Sequence, residues 1–283
     1  MEDPTGTGNT PNPVTKLGYE LEFDESFDEP NLDQSRWVPY YLPHWSSRAA
    51  TGARYRIEDG KLRLRIDEAH APWCPEWDGD IRVSSLQTGL FAGPLGSPIG
   101  QLHFDDGLLV REEQPEERLY TPQYGVIETR FQAIADPRCM VALWMIGFED
   151  EPERSGEICV AEIFGRNMGP ERAAVGMGIH PFGDPSLKDE FAAESLAIDA
   201  ADLHVYTVEW TQDFVSFFVD GELVKTLWQS PSYPMQLMLA VYEFPAGELG
   251  GSSDSGAEQP YPKEFVVDYV RGYRRTSLSD PSA

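Results

Sequence analysis

"GEICVAEIFG", Gly156 to Gly165, sets two glutamates, Glu157 and Glu162, into an otherwise apolar, β-type run. A carboxylate in such a segment is costly to bury unless it is paired, hydrated or used. In a regular strand the side chains alternate with period 2, so Glu157 and Cys159 share one face and Glu162 points to the other. One extra residue, a β-bulge, restores the register and puts Glu157, Cys159 and Glu162 on the same side. The expectation is therefore a bulged strand with two carboxyls on one face.

Outward from this stretch the chain reads as strands. "KLRLRI" (Lys61 to Ile66) alternates cleanly, as does "YGVIETRFQAI" (Tyr124 to Ile134). "CMVALWMIG" (Cys139 to Gly147) is apolar throughout, as expected of a strand buried on both faces. "FVSFFVDGELVKTLW" is a hairpin, with Asp220-Gly221 supplying the positive φ angles of its turn. Met235 to Phe244 and Glu264 to Tyr273 complete the strands, and one short helix is expected near Asp189 to Leu196. Many short strands punctuated by Gly and Pro imply an all-β fold, two packed antiparallel sheets forming a sandwich or jelly roll. A single domain is expected over 17–275, between disordered tails at 1–16 and 276–283. Two long loops, Phe91 to Glu117 and Pro245 to Pro260, border a functional site or are simply disordered.

The 283 residues carry a formal net charge of -26. Nucleic acid is thereby disfavoured as a partner, since phosphate binding needs a basic footprint. Anionic membranes and anionic polymers are repelled as well, so a neutral substrate fits best. Three cysteines, an odd number, argue against a fully paired disulfide framework. The N-terminal "MEDPTGTGNTPNPVTK" has no basic n-region and no apolar core, so a cytoplasmic location is expected if that terminus is native. No run approaches the ~20 apolar residues of a membrane span.

Two carboxyls about 5–6 Å apart suit retaining glycoside hydrolysis. One attacks the anomeric carbon, while the other protonates the departing oxygen and then activates water. The alternative is that one glutamate faces solvent and the other makes a local salt bridge.

The stretch also resembles the signature of glycoside hydrolase family 16, E-[apolar]-D-[apolar]-x-E, read here as Glu157-Ile158-Cys159-Val160-Ala161-Glu162. "ALWMIG" (Ala142 to Gly147), "GIHP" around His180, "YTVEWTQDFVSFFVDGELV" (Tyr206 to Val224), "YPMQLMLAV" and "VVDYVRGY" look like further pieces of that family, in its order. The resemblance spans about Gly18 to Arg275 and implies a concanavalin-like β-sandwich jelly roll. It implies Glu157 as nucleophile, Glu162 as general acid/base and Trp144 as a cleft tryptophan, with His180 facing the cleft. The departure is Cys159, where the family has an aspartate that hydrogen-bonds the nucleophile. A thiol is a weaker donor and is neutral unless its pKa is depressed. Reduced or altered activity is expected rather than none, and Cys159 is expected to fill space rather than to act as a nucleophile.

Aromatic platforms suit the apolar C–H face of a sugar. Trp45, Trp73 and Trp77 stand in loop-like segments and are further candidates, whereas Trp210 and Tyr206 read as core. Arg82 reaches either a sugar hydroxyl or a carboxylate on the sheet. No cofactor is needed for this chemistry, but relatives carry a structural calcium, for which Asp24 and Asp268 stand at comparable places. The expected activity is an endo-acting retaining β-glycoside hydrolase or transglycosylase on a neutral polysaccharide, nominally a β-1,3-glucan, working as a monomer. The alternative is a non-catalytic carbohydrate-binding jelly roll with a degenerate site.

Overall fold

The computed structural model describes residues 11–247 and 258–276. Two antiparallel sheets carry nearly all of its regular structure. The eight-stranded sheet runs in the order Glu222–Leu227, Val215–Val219, His204–Trp210, Gly125–Gln132, Lys263–Arg275, Lys61–Ile66 and Tyr55–Glu58, with Tyr19–Glu25 also paired to Lys263–Arg275. The seven-stranded sheet runs Met168–Gly169, Arg172–His180, Glu157–Phe164, Cys139–Gly147, Met235–Glu243 and Arg82–Gln87, with Ala192–Leu196 also paired to Arg172–His180. Neighbours in space are often distant in sequence, the mark of a jelly roll rather than a meander.

The core between the sheets explains the sequence periodicities. Leu62, Leu64 and Ile66 from one sheet meet Val141, Leu143 and Met145 from the other, all fully buried. Each such side chain contributes roughly 1.5–3 kcal/mol by leaving water. The even residues of the Cys139–Gly147 strand, Met140, Ala142, Trp144 and Ile146, join a second cluster on the opposite face of the seven-stranded sheet. Met238, Ala240 and Tyr242 of the next strand join them, beneath Trp45, Trp73 and Leu108 from the loops. A strand apolar throughout is thus one with a sandwich core on one side and a loop-covered core on the other. Tyr206 and Trp210 are buried in the main core, as their sequence context implies.

The hairpin turn is as expected, with Asp220 at φ 52 and Gly221 at φ 82. The expected helix near Asp189 to Leu196 is instead a strand, Ala192–Leu196, paired with Ala173 to Met177. Its alanines favour a helix, but the open edge of the Arg172–His180 strand supplies backbone partners that outweigh a weak local propensity.

Part of the expected N-terminal tail is docked. The side-chain amide of Asn12 donates to Glu128 at 2.8 Å, and Lys16 Nζ lies 3.1 Å from the same carboxylate. Glu128 is fully buried, so its charge requires such partners. Residues 1–10 and 277–283, and the 248–257 part of the Pro245 to Pro260 loop, lie outside the described residues.

The Phe91 to Glu117 segment is ordered. Gln101 fixes it: its carbonyl accepts from Trp45 Nε1 at 2.8 Å, and its side-chain amide donates to Phe148 O at 3.2 Å. This places Leu102 and Phe104 over the sheet, at the border of the site.

Candidate active site

The bulge in the Glu157–Phe164 strand is present. Ala142, Leu143 and Trp144 stand opposite Glu162, Ala161 and Cys159, so Val160 has no counterpart. On the other side Gly176 and Gly178 stand opposite Glu162 and Cys159, with the same extra residue. The core records the change of parity: Ile158 and Val160 point into it before the bulge, Ala161 and Ile163 after it. Glu157, Cys159 and Glu162 are left on the other face. Gly176 makes room there, since a Cβ on it would lie 2.5 Å from the Phe191 ring and 3.2 Å from Glu162 Cβ.

The three residues line one cleft of about 290 Å³, together with Tyr41, Asp78, Phe104, Met140, Trp144 and Tyr242. Trp144 is 5% exposed, and its buried indole N–H has no hydrogen-bond partner among the described residues. A buried donor without a partner is costly, and a bound oxygen would relieve it. Tyr41 and Tyr242 place their hydroxyls 3.4 Å apart above the sheet.

Both carboxyls are held toward the neutral form. Burial, with the charge of Glu162 added to it, pushes Glu157 up to about 8. Burial also pushes Glu162 up, against the pull of His180. Cys159 is fully buried between them, and burial with the two neighbouring carboxylates keeps its thiol far above the usual range. Its Sγ lies 3.7 Å from Gly176 O, a weak donor contact. A thiol so placed is neither thiolate nor nucleophile. All three cysteines, Cys74, Cys139 and Cys159, are free and buried.

The other sequence candidates divide. His180 stands beside Glu157 in the strand register, stacks on Phe191 at 4.7 Å, and keeps Nδ1 3.1 Å from Asp189. Trp45 and Trp73 are not platforms: each is buried beneath the loops, with Nε1 bound to Gln101 O and to Asp78 Oδ2 (2.6 Å) respectively. Trp77 is half-buried against Gly107 and stands on the short Pro75–Asp78 helix that delivers Asp78 to the cleft. Arg82 meets a sheet carboxylate, Glu243, at 3.0 Å, and lines a neighbouring cavity instead.

Asp24 and Asp268 do not form a calcium site together. Asp24 faces Arg271 at 3.3 Å, and Asp268 faces Arg130 at 2.7 Å and Lys61 at 3.5 Å. Among the described residues no group of three or more His, Cys, Asp or Glu could hold a metal ion. Calcium needs several convergent oxygens, and carboxylates already neutralised by cations do not fit it.

Sequence reasoning missed Tyr41, Asp78, Phe104, Phe182 and Tyr242. Tyr242 had a signal, its even position in a strand whose odd residues are core. The others stand in loops or, for Asp78, at the end of a one-turn helix, and only the fold brings them to the sheet.

A jelly roll whose sheet face carries coupled carboxyls in an aromatic-lined cleft falls in the class of sandwich-fold glycoside hydrolases. The chain belongs to glycosyl hydrolases family 16, whose family model matches residues 119–261. It is 25% identical over 297 residues to glucan endo-1,3-beta-glucosidase A1 of Niallia circulans, covering 94% of this chain and 39% of that protein. The beta-glucanase of Rhodothermus marinus is 25% identical over 242 residues, covering 74% of this chain and 82% of the relative. Among solved structures, the GlcNAcα1-4Gal releasing endo-β-galactosidase of Clostridium perfringens superposes with a TM-score of 0.80 at 30% identity, covering 94% of this chain and 66% of that one. The chain thus spans well under half of the Niallia protein and about two thirds of the Clostridium chain.

Proposed function

We propose that the chain is a retaining endo-β-glycoside hydrolase of neutral polysaccharides, with Glu157 as nucleophile and Glu162 as general acid/base. The observation that carries this reading is the Val160 bulge, which brings both carboxyls into one cleft, where burial raises the proton affinity of each and the charge of Glu162 adds to that of Glu157. Glu162, protonated, gives its proton to the glycosidic oxygen as Glu157 attacks the anomeric carbon. Glu162 then takes a proton from the water that cleaves the glycosyl-enzyme. Productive attack needs Glu157 ionised and Glu162 protonated, whereas burial pushes Glu157 up to about 8. Cys159, a weak donor, does little to favour an ionised Glu157. Slow turnover follows from this chain's own residues, with the pair intact. Trp144 supports the reading through its unpartnered N–H and its flat ring in the cleft.

The substrate is nominally a β-1,3-glucan, as the glucanase relatives suggest. A β-galactoside is the second reading, favoured by the 30% identity to the Clostridium endo-β-galactosidase against 25% to the glucanases. Product analysis over laminarin, lichenan, galactan, agar and mucin-type glycans tests both. A fluorosugar adduct trapped on Glu157 supports the mechanism. Wild-type protein that binds these glycans but cleaves them no faster than Glu157→Gln overturns it in favour of a binding module.

A further inference from the structure

Among the described residues none donates a hydrogen bond to the Glu157 carboxyl. Cys159, its neighbour on the same face, turns its thiol to Gly176 O at 3.7 Å. An ionised carboxylate in a low-dielectric cleft needs donors, and without them the neutral form wins. Besides that thiol, the cleft offers the Trp144 N–H and the phenols of Tyr41 and Tyr242. Trp144 stands opposite Cys159 in the strand register. The phenols come from elsewhere, Tyr41 from a loop and Tyr242 from the Met235–Glu243 strand.

Both phenols are buried. Their rings meet edge to face at 5.7 Å, and Trp73 holds Tyr41 from another side at 4.7 Å. Tyr242 Oη donates to Tyr41 Oη at 3.4 Å, long for an O–H···O bond. The Tyr41 oxygen thus accepts, while its own proton has no acceptor among the described residues. Ala142 stands opposite Glu162 and Ala240 opposite Ala142, so the row leading from Glu162 to the strand of Tyr242 carries only methyl groups. No bulky side chain in that row walls the phenols off from the carboxyls. Burial holds both phenols well above their ordinary range, so they remain O–H donors through neutrality, and the charge of Glu157 acts on both.

We propose that the Tyr41 hydroxyl is the donor that holds Glu157 ionised for attack once a glycan fills the cleft, with Tyr242 positioning it through the hydroxyl pair. A filled cleft loses its water, so the carboxylate must take its hydrogen bond from the protein. The Glu157 carboxyl, fixed by no bond of its own, is free to turn toward the phenol, and a loose hydrogen bond of the empty enzyme tightens in the complex. Tyr41 keeps its proton throughout. The proposal rests on the glycan-cleaving reading of the cleft and supplies what Cys159 withholds. The other titratable groups facing Glu157 are Glu162 and Cys159 on its own strand, His180 in the paired strand and Asp78 from the short helix. A tyrosine-to-phenylalanine change leaves all of them in place.

The ionisation of Glu157 is followed by carbon NMR on the Glu162→Gln chain, free and saturated with laminaritetraose or β-1,4-galactotetraose, whichever binds more tightly. In the complex, Tyr41→Phe is expected to raise the Glu157 pKa by about one pH unit, the size of one hydrogen bond to a charged group. In the free chain it should change nothing. Tyr242→Phe should show the same effect, smaller. In otherwise wild-type protein, Tyr41→Phe should lower kcat about tenfold with KM little changed. It should move the alkaline limb of kcat upward and leave the limb of kcat/KM, which reports the empty enzyme, in place. Melting temperatures of both variants confirm that each is folded. A Glu157 pKa in the complex that ignores both phenol oxygens, or a loss of kcat with both limbs unmoved, overturns the proposal. Wild-type turnover is scored separately. Cleavage without the pKa difference overturns only the tyrosine assignment, and the pKa difference without cleavage supports it while overturning the hydrolase reading.

Discussion

Glu243 and Glu157 both belong to the seven-stranded sheet, and the molecule treats them in opposite ways. Glu243 is almost fully buried, with Lys263 Nζ at 2.7 Å, Arg138 at 2.8 Å and Arg82 at 3.0 Å. Lys263 also holds the buried Asp136 at 2.9 Å. Burial pushes Glu243 up, but the hydrogen bond and charge of Lys263 outweigh it and hold the carboxyl below its usual range. Glu157 faces the cleft with another carboxyl and a thiol for company and is pushed the other way. Structural charge in this sandwich is neutralised by partners, whereas charge at the cleft is left to be neutralised by a proton. The difference separates a group that holds the sheets together from one that can transfer or expel that proton.

The contrast can be broken most directly at Glu157 itself. Glu157→Gln should lower turnover about 10³-fold or more while the chain stays folded, since it removes the proposed nucleophile and not a cross-link. Steady-state assays on the best glycan, with circular dichroism alongside, check this. Lys263→Met should do the reverse. It removes the buried cation that Glu243 and Asp136 share and should destabilise the fold by about 3–5 kcal/mol in urea unfolding.

Cys159→Asp sharpens the comparison by giving Glu157 a stronger donor. It should raise kcat/KM by roughly tenfold, the order of one hydrogen bond to a charged group. The pH profile of the wild type should be bell-shaped, because only the singly protonated pair is active, with its alkaline limb near the pKa of about 8 of Glu157. In Cys159→Asp the added donor should favour ionised Glu157 and move that limb downward. An unmoved limb would mean that another group sets it.

The smallest effect is on stability. The Glu157 pKa is raised on folding from 4.5 to about 8. Its contribution is therefore fully present below 4.5 and is lost as pH rises toward 8. Glu157→Gln should leave the melting temperature unchanged relative to wild type at pH 4 and raise it by a few degrees at pH 8. A thermal shift series across that range checks the sign.

Much of the sandwich was legible because burial imposes parity. Lys61–Ile66 and Cys139–Gly147 were read with their observed bounds from alternation and from unbroken apolarity. The bulge was legible for the same reason, since two glutamates an odd number apart could share a face only through an extra residue. Ala192–Leu196 was misread because its strand state depends on a partner edge that local sequence does not encode. Trp45 and Trp73 were misread because loop-like flanks say nothing of the depth to which a loop folds back. Phe182 and Asp78 were invisible, since nothing near them in sequence marks a cleft.

The Val160 insertion has one further consequence, for how this segment tolerates change in length. Deleting that single residue would leave every hydrogen-bonding group of the strand a possible mate, yet it would exchange inside for outside along half of it. Ile163 would be offered to water and Glu162 to hydrocarbon. A substitution anywhere in this strand can be graded by size and polarity, but a one-residue deletion here would act as an inversion. Sequences sharing this arrangement should therefore vary among apolar residues at position 160, which is buried in the core, while keeping the count between Glu157 and Glu162 fixed.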